Sequence, residues 1–105
     1  MKKVLLLLCR GVEIYEAAAF YDVLGWSGVF GAEAVEVVTA GLQKELQGTF
    51  GIKIIPDRLL PVIDAEDFDA LAIPGGFEAD TELYRLLIIC FLLSAACRWP
   101  YRQGG

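Results

Sequence analysis

The side chains able to do covalent chemistry in this 105-residue chain are few. It contains no histidine, which excludes Ser-His-Asp and Cys-His catalysis, histidine-ligated zinc and pH switching by histidine. Its three cysteines are Cys9, Cys90 and Cys97. They are too few and too widely spaced for a disulfide scaffold or a four-cysteine metal site. Each thiol is therefore considered singly as a candidate nucleophile.

Glu16 is the first candidate for acid–base chemistry. It follows the loop at Gly11 and opens an apolar, alanine-rich segment, and a helix N-terminus stabilises a carboxylate by about 0.3–1 kcal/mol. Glu16 is thus either a first-turn acid on a solvated face or a carboxylate aimed at a reacting group. Glu13 competes for the same role, but we expect it to be more solvated because it lies in the loop.

The tripeptide Pro74-Gly75-Gly76 is the second candidate. Glycine permits a tight turn and the close approach of a backbone to a ligand, and free backbone N–H groups can stabilise an oxyanion. The alternative is an ordinary turn, since a single Pro-Gly-Gly sequence occurs in many proteins.

The residues around each cysteine indicate a structural role for its thiol. Cys90 and Cys97 are seven residues apart in an apolar segment, so they would share one helix face, and cysteines in such segments usually behave as small, inert, buried hydrophobes. Cys9 ends an aliphatic run and is expected to be buried as well. Of the three cysteines, Cys97 is the best candidate for the alternative role, that of a nucleophile.

The elements that must position these residues follow from the apolar pattern. The continuous aliphatic run at residues 2–8 predicts a strand buried on both faces of a parallel sheet. Residues 14–27 have helical apolar spacing and predict a helix ended by Gly28 and Gly31. Strands are predicted at residues 34–39, 52–55 and 70–73, and turns with a short strand pair at 41–51.

The rest of the chain completes an α/β order. Residues 59–69 are predicted to be a connection with a one-turn helix at 64–67, and residues 81–97 a second long helix followed by a tail at 99–105. The resulting order, β-α-β-β-α, is typical of a doubly wound sheet in a single domain. Ligands of such sheets bind beyond the carboxyl ends of the strands, which selects the loops at residues 9–16 and 74–80.

The composition of the chain argues against several classes of binding partner. Hydrophobic residues make up 56% of the chain and the net charge is −5. An acidic balance without a basic cluster argues against nucleic-acid binding.

The uncharged run at residues 86–97 is shorter than the roughly 20 residues of a membrane span, so we expect no membrane insertion and a cytoplasmic protein. No dinucleotide or phosphate-loop motif is present, so we expect no cofactor and no metal. The acidic residues 64–69 are expected to form a solvated face.

Taken together, these segments resemble the ThiJ/PfpI superfamily. The matching segments are Lys3-Val4-Leu5-Leu6-Leu7-Leu8, Gly11-Val12-Glu13-Ile14-Tyr15-Glu16, Phe20-Tyr21-Asp22-Val23-Leu24, Val37-Val38-Thr39-Ala40-Gly41 and Phe68-Asp69-Ala70-Leu71-Ala72-Ile73-Pro74-Gly75-Gly76. The resemblance covers about residues 1–80 and implies a flavodoxin-like fold and a dimer. It also implies a site in which Glu16 hydrogen-bonds a cysteine thiol and Gly75 and Gly76 form the oxyanion turn.

The sequence departs from the family after residue 80. The family's nucleophile follows the Gly-Gly turn after a helix and a further strand, at a distance that would place it beyond residue 105. Cys97 lies 21 residues after Gly76, and Ala95-Ala96-Cys97 is faintly similar to the family's elbow. The C-terminal quarter is expected to be a natural truncation, a reading-frame change or a divergent ending. Exposed sheet edges and apolar faces would then favour a homo-oligomer, aggregation, or stabilisation by the apolar last helix.

Three functional hypotheses remain. The resemblance implies a cysteine-dependent enzyme, either of the glyoxalase or deglycase type or a peptidase-like hydrolase. In the first case Cys97, or failing it Cys9, attacks a small carbonyl substrate. Glu16 would orient the thiol, and the N–H groups of Gly75 and Gly76 would hold the oxyanion. The second hypothesis is a catalytically inactive family fragment acting as a binding, chaperone-like or interaction module. The third is an unrelated flavodoxin-like binder of a small ligand that uses the same two loops.

Overall fold

A computed structural model describes residues 1–31 and 33–76 of the chain. The elements in order are β1 (Lys2–Leu7), α1 (Ile14–Phe30), β2 (Val35–Gly41), β3 (Leu46–Gln47), β4 (Lys53–Ile54), β5 (Arg58–Leu59) and β6 (Ala70–Ala72). Single 3-10 turns lie at Thr49–Gly51, Leu60–Val62 and Ala65–Asp67. The predicted helix at 81–97 and tail at 99–105 lie outside the described residues.

A four-stranded parallel sheet with the order β5-β2-β1-β6 forms the centre of the described part. β1 pairs with β2 on one side, where Leu5 lies opposite Val38, and with β6 on the other, where Leu5 lies opposite Leu71. Because β1 is central, Leu5, Leu6 and Leu7 are each only 1% exposed, as its aliphatic run predicts. The α/β, flavodoxin-like fold is confirmed.

Helix α1 packs against β2 and continues three residues beyond the predicted end. Its C-cap is Gly31, whose N–H donates to the Ser27 carbonyl at 2.6 Å. Gly28 lies inside the helix, so the prediction that it ends the helix is wrong. A Cβ at Gly28 would lie 3.3 Å from the Val35 nitrogen, so this glycine lets the helix approach β2 closely.

The segment between β2 and β6 holds three short strands that pair differently from the prediction. β4 confirms the strand predicted at 52–55, but it forms an antiparallel hairpin with β3, with Leu46 opposite Ile54, so the short pair predicted within 41–51 is wrong in its second strand. β5 begins one residue before the connection predicted at 59–69 and adds a parallel edge to β2. Two residues are too few to produce a periodic pattern. The predicted turn of helix at 64–67 is present as Ala65–Asp67.

No helix in the described part of the chain is long and apolar enough to cross a membrane. The uncharged run at residues 86–97 lies outside that part.

Candidate functional site

The loop after β1 lies at the carboxyl end of the central strand and is held by backbone hydrogen bonds. The N–H of Gly11 donates to the Gln47 carbonyl at 2.7 Å, and that of Val12 donates to the Cys9 carbonyl at 3.0 Å. Gly11 has a φ of +81°, a conformation that glycine adopts without steric cost. Val12 is fully buried. The loop therefore brings the chain to the start of α1 along a fixed path.

The turn after β6 packs directly against this loop. Gly76 forms an antiparallel bridge with Val12, and the N–H of Glu13 donates to the Gly75 carbonyl at 2.8 Å. A Cβ at Gly76 would collide with the Gly11 carbonyl oxygen and lie 2.8 Å from the Val12 Cα. The second glycine of the turn is thus required by backbone packing, in addition to any role toward a ligand.

Glu16 and Gly75 meet at this junction. The Gly75 N–H donates to Glu16 Oε1 at 3.1 Å, a contact between residues 59 positions apart. The structure thereby brings together Glu16 and the Gly75-Gly76 turn, which the sequence analysis had selected independently. It also shows that the Gly75 N–H is already engaged by the Glu16 carboxylate.

The two carboxylates of this loop have different surroundings from those expected. Glu13 is the N-cap of α1, where its Oε1 accepts the Tyr15 N–H at 3.3 Å, and it is partly buried. Glu16 is exposed. The expectation that Glu13 is the more solvated of the two is wrong, because capping draws its side chain back onto the helix. Glu16 is left facing the Gly-Gly turn.

Of the three cysteines, Cys9 lies in the described part of the chain. Cys9 is 1% exposed at the end of β1, as expected, and such burial leaves no path for attack on a substrate from that position. Cys90 and Cys97 lie outside the described residues. The assignment of Cys97 as nucleophile therefore stays a prediction.

Two aspartates of the acidic segment at residues 64–69 accept hydrogen bonds from backbone N–H groups. Asp64 Oδ1 accepts the Glu66 N–H at 3.0 Å, and Asp69 Oδ2 accepts the Lys3 N–H at 2.9 Å. Both aspartates are exposed, in agreement with a solvated face. Within residues 1–31 and 33–76, no group of three or more His, Cys, Asp or Glu side chains is placed to hold a metal ion.

A groove beside Glu16 was missed by the sequence analysis. Its other described lining residues are Ala19, Phe20, Val23 and Leu24. The sequence feature that could have revealed this groove is the spacing of these residues from Glu16, which places all five on one face of a helix. The sequence analysis used helical spacing only to predict the helix itself.

Comparison with known proteins agrees with this architecture. YraA of Bacillus subtilis is 51% identical over 37 residues, which are 35% of this chain and 22% of YraA. DJ-1 homolog B of Arabidopsis thaliana is 36% identical over 75 residues, which are 71% of this chain and 16% of that protein. The structure of Toxoplasma gondii DJ-1 has a TM-score of 0.64 and 29% identity, and the match covers 74% of this chain and 40% of that one.

The chain thus spans less than half the length of these relatives. The sequence profile of the DJ-1/PfpI family matches residues 2–90, which include the loop after β1, α1 and the Gly-Gly turn. On this match, the chain belongs to the DJ-1/PfpI family.

Proposed function

We propose that this chain acts as a cysteine-dependent enzyme of the glyoxalase or deglycase type on small dicarbonyl compounds or glycated groups. The observation that carries the proposal is the 3.1 Å hydrogen bond from the Gly75 N–H to Glu16 Oε1. It joins a carboxylate and a glycine-rich turn at the carboxyl end of the sheet, where α/β proteins bind ligands. Family membership supports the same chemistry.

In the proposed reaction the Cys97 thiolate adds to the aldehyde carbon of the substrate. A C–S bond forms, and the C=O π electrons move to the oxygen, whose charge the N–H groups of Gly75 and Gly76 stabilise. Glu16 takes the thiol proton and later returns it. Because the Gly75 N–H is bonded to Glu16 in the free protein, the substrate oxygen must replace that carboxylate. With methylglyoxal, Glu16 then carries the C1 hydrogen as a proton to C2 through an enediol, which leaves a lactoyl thioester on Cys97. Water hydrolyses this thioester, so the C–S bond breaks, lactate leaves and the thiol is regenerated. Methylglyoxal and water together have the composition of lactic acid, so no external oxidant is needed.

Thiol reactivity tests the proposed pairing of Cys97 with Glu16. Alkylation of each cysteine in the native chain would be followed against pH by peptide mass spectrometry. We expect Cys97 to react with a midpoint well below the value of about 8.5 for a free thiol, and Glu16→Gln to remove this effect. Glu13→Gln is the matched control. Slow, ordinary reactivity of all three cysteines would refute the proposal.

Turnover is tested separately with methylglyoxal as the probe. We expect Cys97→Ser to abolish its consumption and Glu16→Gln to reduce it at least 100-fold, since positioned acid–base groups contribute about 10²–10⁴-fold. Cys90→Ser is the matched control and should keep the parental rate. Consumption that survives Cys97→Ser would exclude this cysteine as the nucleophile.

The second candidate function is a catalytically inactive binding or chaperone-like module. The observation that favours it is the set of large apolar side chains that α1 exposes, including Trp26 at 54% and Phe30 at 80%, because exposed apolar patches mark interaction sites. Light scattering from a heated client enzyme tests it. This alternative would be supported over the enzyme if the chain suppresses aggregation, the double variant Trp26→Ser/Phe30→Ser does not, and Cys97→Ser still does.

We place the chain in the cytoplasm as part of the same proposal. A thiol nucleophile must stay reduced to react, and cytosolic thiols are kept reduced. Cell fractionation with an antibody to the chain tests this location, and recovery from a secreted or membrane fraction would contradict it.

A further inference from the structure

The peptide group between Val12 and Glu13 joins two turns that lie on either side of the loop after β1. Its carbonyl oxygen accepts the Thr49 N–H at 2.9 Å, from the 3-10 turn at Thr49–Gly51. Its N–H donates to the Gly75 carbonyl at 2.8 Å. A trans peptide group is planar, with its C=O and N–H pointing in opposite directions. This one rigid group therefore carries the position of the first turn to the second.

The same arrangement continues into the turn after β6. The Gly75 carbonyl and the Gly76 N–H belong to one peptide group, and the Gly76 N–H is one of the two proposed oxyanion donors. We call the Thr49 N–H, the peptide group 12–13 and the peptide group 75–76 the peptide relay. Each hydrogen bond in such a chain polarises the next and strengthens it by about 10–30%. Val12 is fully buried, so water competes little with these bonds.

The relay reaches one of the two proposed oxyanion donors and not the other. The Gly75 N–H belongs to a different peptide group, and it is bonded to the Glu16 carboxylate. We propose that Thr49 is a positioning residue, whose backbone N–H acts through the peptide relay to fix the direction of the Gly76 N–H. The catalytic consequence rests on the proposed function, whereas the relay is a property of the fold.

The packing around Gly48 brings the turn close to the relay. A Cβ at Gly48 would lie 3.1 Å from the Val12 carbonyl oxygen, so glycine allows this close approach. A second hydrogen bond, from the Gly11 N–H to the Gln47 carbonyl at 2.7 Å, joins the same two segments. The turn should thus stay attached to the loop when the Thr49 donor alone is removed.

An ester in place of the amide between Gly48 and Thr49 removes this donor and changes no side chain. The full 105-residue chain is made by chemical synthesis, and amide hydrogen exchange is followed by NMR. We expect the Glu13 N–H to exchange about threefold faster than in the parent chain, and the amide resonance of Gly76 to shift further than that of Gly75. Parental exchange at Glu13 would overturn the inference.

The matched control accounts for a side effect of the ester. An ester carbonyl is a weaker acceptor than an amide carbonyl, and the Gly48 carbonyl accepts the Gly51 N–H at 3.1 Å. An ester between Phe50 and Gly51 removes that same bond and keeps the Thr49 N–H. Glu13 should exchange in this control as in the parent chain. Equal acceleration in the two esters would refute the relay, because loosening of the turn would then explain both.

A pair of alanine variants tests the relay if the first ester chain does not fold. Gly48→Ala presses on the Val12 carbonyl, and we expect faster exchange at Glu13. The control is Gly41→Ala, which is equally crowded, with a Cβ 3.0 Å from both the Leu8 carbonyl oxygen and Leu46 Cδ2. Its nearest atoms do not belong to Val12. Equal changes at Glu13 in the two variants would refute the inference.

Turnover of methylglyoxal separates this inference from the proposed function. Loss of an oxyanion donor costs about 10²–10³ in kcat, and because the relay only orients one donor, we expect the Thr49 ester to lower kcat about tenfold and to leave KM within about twofold. Faster exchange at Glu13 with a parental kcat would refute the positioning role.

The two failures are distinguishable in the parent chain and the Thr49 ester. If exchange at Glu13 is faster in the ester but the parent chain does not consume methylglyoxal, the relay is supported and the proposed enzyme is not. If the parent chain consumes methylglyoxal but exchange at Glu13 is the same in both chains, the enzyme stands and the relay is refuted.

Discussion

At the scale of single residues, the two glycines of the turn after β6 have different reasons to be glycine. The atoms nearest to a Cβ at Gly75 would belong to the Glu16 side chain, with Oε1 at 3.4 Å, whereas a Cβ at Gly76 would overlap the backbone of Gly11 and Val12. A side chain can move aside, but a packed backbone cannot. Gly76 therefore determines how closely the turn approaches the loop after β1, and Gly75 determines what that turn presents to Glu16.

Gly76→Ala is expected to destabilise the chain. The added Cβ would force apart the bridge between Gly76 and Val12, and overpacking of this kind typically costs about 1–3 kcal/mol of the free energy of unfolding. The urea midpoint measures the loss. The control is Gly25→Ala inside α1, where a Cβ meets nothing within 4 Å and should stabilise the helix by about 0.5–1 kcal/mol. A parental midpoint for Gly76→Ala would show that the turn is not packed as described.

At the scale of elements, side-chain hydrogen bonds hold the first residues of α1, β5 and β6 in place. Glu13 caps α1 by accepting the Tyr15 N–H. Asp69 precedes β6 and exchanges two hydrogen bonds with the backbone of Lys3 in β1, at 2.8 and 2.9 Å. Asp57 precedes β5 and makes a similar pair with Thr39 in β2. Each outer strand of the sheet formed by residues 1–31 and 33–76 is thus fixed to its neighbour by an aspartate immediately before it.

Changes at Glu13 should shift stability in both directions. Aspartate is among the preferred N-cap residues and alanine is among the poorest, so Glu13→Asp should equal or exceed the parent. Glu13→Ala should lower the free energy of unfolding by about 0.5–1 kcal/mol. Thermal unfolding followed by circular dichroism at 222 nm measures both variants. The reverse order of the two would argue against the capping role of Glu13.

Thr39→Val should weaken the attachment of β5. The hydroxyl of Thr39 accepts the Asp57 N–H at 2.8 Å. Valine would remove this acceptor, and because Asp57 is exposed water can take its place, so we expect a loss of about 0.5–1 kcal/mol. Thr39→Ser keeps the acceptor and should lose less. Amide hydrogen exchange at Asp57 measures the effect directly. Protection at Asp57 that is equal in the two variants would show that the hydroxyl contributes nothing.

At the scale of the whole molecule, α1 leaves much apolar surface uncovered. Trp26 and Phe30 stack with their ring centroids 5.5 Å apart while both remain exposed, and Tyr15, Tyr21 and Val29 are also exposed. Ala17 is the one buried residue of this helix. We propose that a second copy of the chain covers part of this surface, because monomeric proteins rarely expose such contiguous apolar patches.

Self-association is expected to depend on the stacked pair. Size-exclusion chromatography with light scattering should give the mass of a dimer or a larger oligomer for the parent chain, and Trp26→Ser/Phe30→Ser should shift it toward the monomer of 11.5 kDa. Lys53→Ala, at an exposed position of the β3–β4 hairpin, is the surface control. A parent chain that elutes as a monomer at moderate concentration would contradict this proposal.

The sequence by itself determined the features that depend on neighbouring residues. The aliphatic run of β1 predicted a strand buried on both faces, and the alanine-rich segment predicted α1. Glu16 and the Gly75-Gly76 turn were identified as candidates from their types and their places in the α/β order. Each of these signals is local, because strand and helix periods and turn conformations are set by a few consecutive residues.

Only the tertiary structure decided which of these pieces touch. The hydrogen bond from Gly75 to Glu16, the bridge from Gly76 to Val12 and the close approach of Gly28 to β2 all join distant parts of the chain. β5, only two residues long, has no periodicity of its own and exists because β2 offers an edge to pair with. Such contacts depend on the packing of the whole sheet, and therefore no short stretch of sequence specifies them.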